Sequence, residues 1–245
     1  MSTDPKPGDE ISDAGFRLLP YAAAAVAITI VGLAAVGFGG ISFRAGDQAM
    51  GERYVELLQA VRAPGLHRLE MLFDGAGWLS IGVVLSLLAA ATHPWSPGRA
   101  IVVAACGIGQ LIGAQGGFER FVGISDLAAA YAAAGPSQQD EIARAYMIVY
   151  DTVQAHFHEG QLLQAVGFLV AAWGLSRVPG LPRWLAVVVG APGVTSGLIW
   201  LGNSAIAGGV PFFPFVILHV MVFVLGANVV LAVAMRRRRR AIATP

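Results

Sequence analysis

The sequence predicts an all-α protein that is embedded in a membrane as a bundle of six transmembrane helices with two helical extracytoplasmic loops. Of its 245 residues, 56% are hydrophobic and 13% are charged, whereas about 25% are charged in an ordinary soluble domain. Several runs carry no charged residue, and each is long enough to cross or nearly cross a hydrocarbon core of roughly 30 Å. We therefore treat residues 1–245 as a single transmembrane domain.

The charge-free runs give the order of the predicted crossings. The leader before the first run has more acids than bases, and the run is longer than the roughly 7–15 apolar residues of a signal peptide, so we expect it to be retained. The last two crossings share one run from Trp184 to Met235, which we divide at the turn-forming stretch "GNSAIAGGVPFFP". The six helices are predicted near residues 18–43, 74–95, 99–118, 155–176, 183–203 and 212–235.

Basic residues predict the orientation. They concentrate in the N-terminal tail, at Arg99, in the turn 177–183 and in the C-terminal "MRRRRR", which predicts that both termini are cytoplasmic by the positive-inside rule. The final arginines directly follow a hydrophobic helix, so we interpret them as an anchor on anionic lipid and not as a nucleic-acid site. The lipid bilayer is thus a predicted partner, and the anchor residues are Arg236, Arg237, Arg238, Arg239 and Arg240.

Two long loops, 44–74 and 119–154, then lie outside. The stretch "DQAMGERYVELLQAVR" has apolar residues at helical spacing and predicts an amphipathic outer helix over 47–62, ended by "APG". In the second loop "AGP" breaks one segment, and Ser137 with Asp140 predicts the capped start of a helix that continues into the fourth crossing.

Polar residues gather at the outer ends of the predicted helices. His67 and Glu70 are three residues apart, as are His156 and Glu159, so each pair shares a helix face. Ionisable groups at membrane depth are costly enough to be candidates for function. Together they predict an outer polar vestibule formed by His67, Glu70, Asp74, Glu119, His156, Glu159, Asn203 and His219.

This vestibule has two interpretations. Helix bundles that bind two metals use a Glu and a His three residues apart on two helices, so a divalent metal could be held by His67, Glu70, His156 and Glu159. The order within each pair is reversed here, however. The favoured interpretation is structural: polar groups near the interface bond one another, Arg68, Arg120 or water. No cofactor is therefore predicted, and a divalent metal is the alternative.

Two further motifs concern helix packing. Gly109, Gly113 and Gly117 are spaced four apart in the third helix, which predicts a close approach of another helix. "GAPGV" at 190–194 predicts an interruption of the fifth helix, which is typical of a transport site or of a simple kink.

The motifs of common enzymes are missing from the sequence. It contains no P-loop, dinucleotide fingerprint, nucleophile elbow or Cys-x-x-Cys. Cys106 is the sole cysteine, so no internal disulfide can form. We expect a non-enzymatic membrane protein that binds or senses a small ligand or lipid, or supports a membrane protein partner, through the vestibule. A metal-dependent enzyme is the alternative, and a small transporter is third.

Two stretches resemble a known family. "HRLEMLFDGAGWLSIGVVLSLLAA" and "LLQAVGFLVAAWGLSRVPGLPRWLAVVVGAPGV" resemble bacterial six-helix membrane proteins catalogued as a family of unknown function, in which a Pro-Arg-Trp-Leu turn, here 182–185, joins two helices. The resemblance covers most of residues 15–235. It implies the six-helix layout and an outer loop between helices three and four, and it carries no catalytic residue.

Overall fold

The computed structural model describes residues 7–44, 55–205 and 221–223. Within these ranges the regular structure is helical and no strand occurs, which confirms the predicted all-α class. Seven α-helices of eight residues or more lie in the described ranges: α1 Pro7–Arg44, α2 Val55–Arg62, α3 Pro64–Thr92, α4 Pro97–Glu119, α5 Ser125–Ala133, α6 Pro136–Leu175 and α7 Arg183–Ala205. A π-helical turn, Arg120–Ile124, joins α4 to α5.

Four segments of the described chain are long and apolar enough to cross a membrane. They are Ser12–Leu33, Pro64–Thr92, Pro97–Ala133 and Arg183–Gly202. The predicted crossing at 155–176 lies inside the continuous helix α6 but is not among these four, because Glu159, Gln161 and Gln164 lower its apolar character. The predicted crossing at 212–235 lies almost wholly outside the described residues.

Prolines begin three of the long helices. Pro64, Pro97 and Pro136 are the first residues of α3, α4 and α6, a position where the missing N–H of proline costs nothing. As a result α3 begins ten residues before the predicted start at 74. The predicted cap at Ser137 is wrong: Ser137 is the second residue of α6, and the carbonyl of Gly135 accepts the first backbone bonds of that helix.

The predicted amphipathic helix 47–62 is described only in part. Its described portion is α2, which ends at Arg62 as expected, and residues 47–54 lie outside the described chain. The apolar side of α2 is buried against α5, α6 and the π-helical turn. The buried core there consists of Leu57, Ala60, Ile124, Ala128 and Tyr146.

The chain divides into two compact units. The first comprises Met1–Ile28, Leu79–Leu111 and Gly160–Pro245, and the second comprises Thr29–Trp78 and Ile112–Glu159. In the first unit α3 and α4 approach so closely that a Cβ on Gly82 would lie 2.7 Å from the carbonyl oxygen of Gly107. There Gln110 Nε2 also donates to the carbonyl of Gly160, at 3.3 Å, which links α4 to α6.

The glycines of the predicted packing motif face two different helices. A Cβ on Gly113 would lie 2.5 Å from the Trp78 ring of α3, and one on Gly117 would lie 2.7 Å from the backbone nitrogen of Gly75, also in α3. A Cβ on Gly109 would instead meet Leu163 of α6 at 2.5 Å. The cause is helical geometry, because eight residues at about 100° each leave Gly109 rotated by roughly 80° from Gly117.

Of the two interpretations of "GAPGV", the broken helix is wrong, and the simple kink stays a prediction. Helix α7 continues from Arg183 to Ala205 with Pro192 inside it. Pro192 has no N–H to donate to the preceding turn, and two hydroxyls bond carbonyls at this place. Ser196 Oγ donates to the carbonyl of Pro192 at 2.7 Å, and Thr195 Oγ1 donates to that of Ala191 at 3.3 Å. The transport hypothesis stays a prediction that a broken helix does not support.

Candidate functional site

Three of the predicted polar residues, Asp74, Glu119 and His156, lie where α3, α4 and α6 meet in the second unit. Two glycines of α4 permit this approach: Gly117 contacts the backbone at Gly75, and a Cβ on Gly116 would lie 3.2 Å from the Cβ of His156. Larger residues at these positions would hold the helices apart. Asp74 directly precedes Gly75, and Glu119 follows Gly117 by two residues, so both acids lie within one helical turn of this contact.

Glu119 of α4 and His156 of α6 form the first contact. Glu119 Oε2 lies 3.2 Å from His156 Nδ1, with the two side chains about one-third and one-fifth exposed. This is an ion-pair distance, although the two groups are not aligned for a hydrogen bond. Gln115 Nε2 donates to the other carboxylate oxygen of Glu119 at 2.7 Å. Each carboxylate oxygen of Glu119 therefore has a polar neighbour, and one of the two accepts a hydrogen bond.

Asp74 of α3 and Arg120 form the second contact. Arg120 Nη1 lies 3.6 Å from Asp74 Oδ2, and both side chains are largely buried, at 17% and 16% exposure. The guanidinium carbon of Arg120 lies 5.4 Å from the centre of the Phe157 ring, within reach of a cation–π attraction. Phe157 in turn stacks on Trp78, with ring centres 5.8 Å apart and planes at 8°. An aromatic wall thus flanks the charged groups.

We name Asp74, Glu119, Arg120 and His156 the acid–base cluster. Arg120 is the first residue of the π-helical turn Arg120–Ile124, whose wider winding changes the directions of the side chains that follow. Turns of this kind occur mostly within α-helices and frequently at functional sites. Ile124, at the other end of the turn, is fully buried in the core beneath α2. The turn therefore joins the cluster to a packed part of the second unit.

The structure pairs the predicted residues differently from the sequence analysis. His156 meets Glu119 of another helix, and Glu159, its predicted partner, is exposed. His67 is 3% exposed and has interactions within the chain, as does Glu70. Asn203 belongs to α7, but its side chain is not described. His219 and the five arginines 236–240 lie outside the described residues, so their predictions remain predictions.

A metal site would need several donor groups close together. Among the described residues, which include His67, Glu70, His156 and Glu159, no group of three or more His, Cys, Asp or Glu side chains could hold a metal ion. The acid–base cluster contains two carboxylates, but each is already close to a positively charged or polar partner. Metal binding remains a prediction, which elemental analysis of the purified protein would test.

Two parts of the site were not predicted from the sequence, the π-helical turn and the aromatic wall of Trp78 and Phe157. Arg120 was predicted only as one of several bonding partners. A cross-helix contact depends on how each helix is rotated, which residue spacing along a single helix does not reveal. The adjacency of Glu119 to Arg120 and of His156 to Phe157 was the available signal.

Comparisons with models of protein families, with curated proteins and with solved structures found no match to this chain. The resemblance to bacterial six-helix proteins therefore remains an expectation. What can be said of function rests on the chemistry of the site itself.

The charges of the acid–base cluster do not balance when His156 is neutral. Asp74 and Glu119 contribute −2 and Arg120 contributes +1, so the cluster carries −1. Partly buried groups attract an opposite charge more strongly than groups in open water, because they are screened less. The cluster is therefore complementary to a small cation or to a ligand with an amine.

Proposed function

We propose that this chain is a multi-pass membrane protein that binds a small ligand with a cationic group through the acid–base cluster. It does so without catalysing a reaction. The cluster would serve as the polar vestibule at the extracytoplasmic ends of the helices. The observation that carries the proposal is the contact of Glu119 with His156 beside the pair of Asp74 and Arg120, two acids and one fixed cation at a single crossing of helices.

Further features support a binding role. Charged groups near apolar helices are costly to keep and are often retained for function. The aromatic wall of Trp78 and Phe157 offers a surface for the apolar part of a ligand and for an ammonium group. The π-helical turn that begins at Arg120 is of a kind that is frequent at functional sites. Together these features favour a binding site over a purely structural ion pair.

The ligand proposal predicts that small amines stabilise the purified protein. In detergent, primary amines and size-matched carboxylates should differ in their effect on the midpoint of thermal unfolding. At least one amine should raise it by roughly 5 °C at saturation. The rise should disappear in Glu119→Gln, because this change removes the unbalanced negative charge. The midpoint is measured in thermal unfolding experiments, with intrinsic fluorescence as the signal.

The matched control is Glu141→Gln, which makes the same chemical change at an exposed position of α6. It should keep the full response to the amine. The proposal is wrong if carboxylates stabilise as well as amines, if no compound in the panel has an effect, or if both variants respond like the wild-type protein.

We further propose that the chain crosses a bacterial inner membrane six times with both termini in the cytoplasm. Four of the six proposed crossings overlap the apolar helical segments, and α6 would provide the fifth. The sixth, near 212–235, lies almost wholly outside the described residues. Its 40 residues correspond to about 60 Å at roughly 1.5 Å per residue, against a hydrocarbon core of about 30 Å. The N-terminal part of α6 would then project beyond the membrane on the outer side.

This topology predicts opposite accessibility for the two ends of α6. In a Cys106→Ser background, Ser137→Cys should react with a membrane-impermeant maleimide added to intact bacterial cells that express the protein. Ser176→Cys should react only after the cells are lysed. Both positions are exposed, so burial does not account for the difference. Labelling of Ser176→Cys in intact cells would contradict the proposed orientation.

A further inference from the structure

A second polar site lies in the first unit, at the turn between α3 and α4. An open groove of about 390 Å³ is lined there by Trp95, Ser96, Pro97, Gly98, Arg99 and Trp173. The turn separates the apolar segments Pro64–Thr92 and Pro97–Ala133, so it lies where the chain leaves the apolar part of a membrane. The groove is thus placed at the level of lipid headgroups.

Arg99 is the charged group of this groove. Its guanidinium carbon lies 3.6 Å from the centre of the Trp173 ring, and its Nη1 donates to Ser96 Oγ at 2.7 Å. Ser96 is itself buried, at 4% exposure. Stacking and this bond hold the planar guanidinium in one orientation. Of its five N–H donors, the one on Nε finds no acceptor among the described residues.

The surroundings of Arg99 are positive. Arg177, at the turn after α6, is close enough to act on Arg99 as a like charge, and no ion pair joins Arg99 to a carboxylate within the described chain. The N–H groups of Gly98 and Arg99, in the first turn of α4, also lack intrahelical acceptors. Pro97 has no N–H, and that of Ala100 donates to the carbonyl of Ser96. An anion bound here would meet the Arg99 fork and the N–H groups of Gly98 and Arg99 together.

A tryptophan of the groove indicates its depth in the membrane. Trp173, which lines the groove, is 56% exposed, and tryptophan is enriched at both membrane interfaces, where its ring meets acyl chains and its N–H meets headgroups. A soluble anion would not need an apolar rim. A phospholipid has both parts, a phosphate for Arg99 and acyl chains that can lie against the exposed ring.

We propose that the groove at Arg99 binds the phosphate of one anionic phospholipid. Arg99 contacts the phosphate through its planar fork, Ser96 and Trp173 position the guanidinium, and Arg177 adds attraction for the negative headgroup. The site is separate from the acid–base cluster and does not depend on the function proposed for it. The shared chemistry is a phosphate group, and the lipid headgroup is the source to which we commit.

Native mass spectrometry of the full chain in detergent tests this site. Phosphatidylglycerol and phosphatidylcholine with the same acyl chains are titrated separately. We expect one phosphatidylglycerol to be retained preferentially, and its apparent affinity to fall about tenfold in Arg99→Gln, which removes a charge-assisted bidentate contact. Arg99→Lys keeps the charge but loses the planar fork, so it should bind with intermediate affinity. Arg99→Lys also tests the proposal if Arg99→Gln does not fold.

The matched control is Arg17→Gln, which removes the same charge from α1. Arg17 is about half exposed and paired with Asp13. It is placed near the same end of the first unit, because Ser12 Oγ donates to the carbonyl of Ala91 at the end of α3. Retention should stay within about twofold of wild type. The proposal is overturned if Arg17→Gln loses as much as Arg99→Gln, if phosphatidylcholine binds equally, or if millimolar inorganic phosphate displaces the lipid.

Discussion

Gly117→Ala should destabilise the protein by about 1–3 kcal/mol, because it forces a methyl group into a backbone contact. A Cβ at this position would lie 2.7 Å from the backbone nitrogen of Gly75 and 2.8 Å from its Cα. These are atoms of another helix backbone, which cannot rotate away as the end of a side chain can. The helices α3 and α4 must separate locally, and the midpoint of thermal unfolding in detergent should fall by several degrees.

Gly77→Ala is the matched control for this prediction. A Cβ on Gly77 would meet only Thr29 Oγ1, at 3.8 Å, which is an ordinary contact. Alanine is favoured over glycine within a helix by about 1 kcal/mol, so Gly77→Ala should leave the unfolding temperature unchanged or raise it. If Gly117→Ala proves as stable as the wild-type protein, the close crossing of α3 and α4 is wrong.

The crossing also affects the acid–base cluster, because Gly117 lies two residues before Glu119. Separation of α3 from α4 would change the distances among Asp74, Glu119 and Arg120. We therefore expect Gly117→Ala to weaken the amine response described above in addition to lowering stability. Gly77→Ala should retain that response, which separates an effect on the site from a general effect of adding a methyl group to α3 or α4.

The apolar parts of the helices could be predicted from the sequence because the requirement is local. A run without charges is needed wherever a helix meets lipid, and the predicted starts at 99 and 183 agree with the helices at Pro97 and Arg183 to within two residues. The same criterion cannot find helix ends in polar segments. Residues 64–73 and 136–154 are charged and still helical, and the prolines at 64 and 136 were the signals of their starts.

The arrangement of the site could be predicted only in part. Asp74, Glu119 and His156 were named because ionisable residues are rare in such a composition. Their pairing was not predicted, since spacing of three residues joined His156 to Glu159, whereas the rotation of α4 against α6 joins it to Glu119. The π-helical turn at Arg120 adds a local change of winding. A periodicity analysis that assumes uniform α-helix cannot show such a change.

The pair of Asp74 and Arg120 should contribute more to stability than a shorter ion pair on the surface. Asp74→Asn removes one charge and leaves the Arg120 guanidinium largely buried beside a neutral amide. Removal of one partner costs about 3–5 kcal/mol for fully buried pairs and about 0–1 kcal/mol for exposed ones. With exposures of 16% and 17%, we expect a loss of about 2 kcal/mol, between these limits.

A double-mutant cycle isolates this pair from its surroundings. Arg120→Gln should cost more than Asp74→Asn, because it also removes the cation–π contact with Phe157, worth about 0.5–1 kcal/mol. The double variant should lose clearly less than the sum of the two single losses, with a coupling of about 1 kcal/mol. Thermal and denaturant unfolding of the four proteins in one detergent provide the values. Additive losses would mean that the two groups do not interact.

The surface pair of Asp13 and Arg17 supplies the comparison. Its distance is shorter, 3.3 Å against 3.6 Å, but its side chains are 61% and 52% exposed. Water screens the exposed charges and the long side chain of Arg17 loses freedom, so the cycle of Asp13→Asn with Arg17→Gln should give a coupling below about 0.5 kcal/mol. If the surface pair couples as strongly as Asp74 with Arg120, then burial does not strengthen the acid–base cluster. The unbalanced charge of the cluster would then attract a ligand no more strongly than a surface charge does.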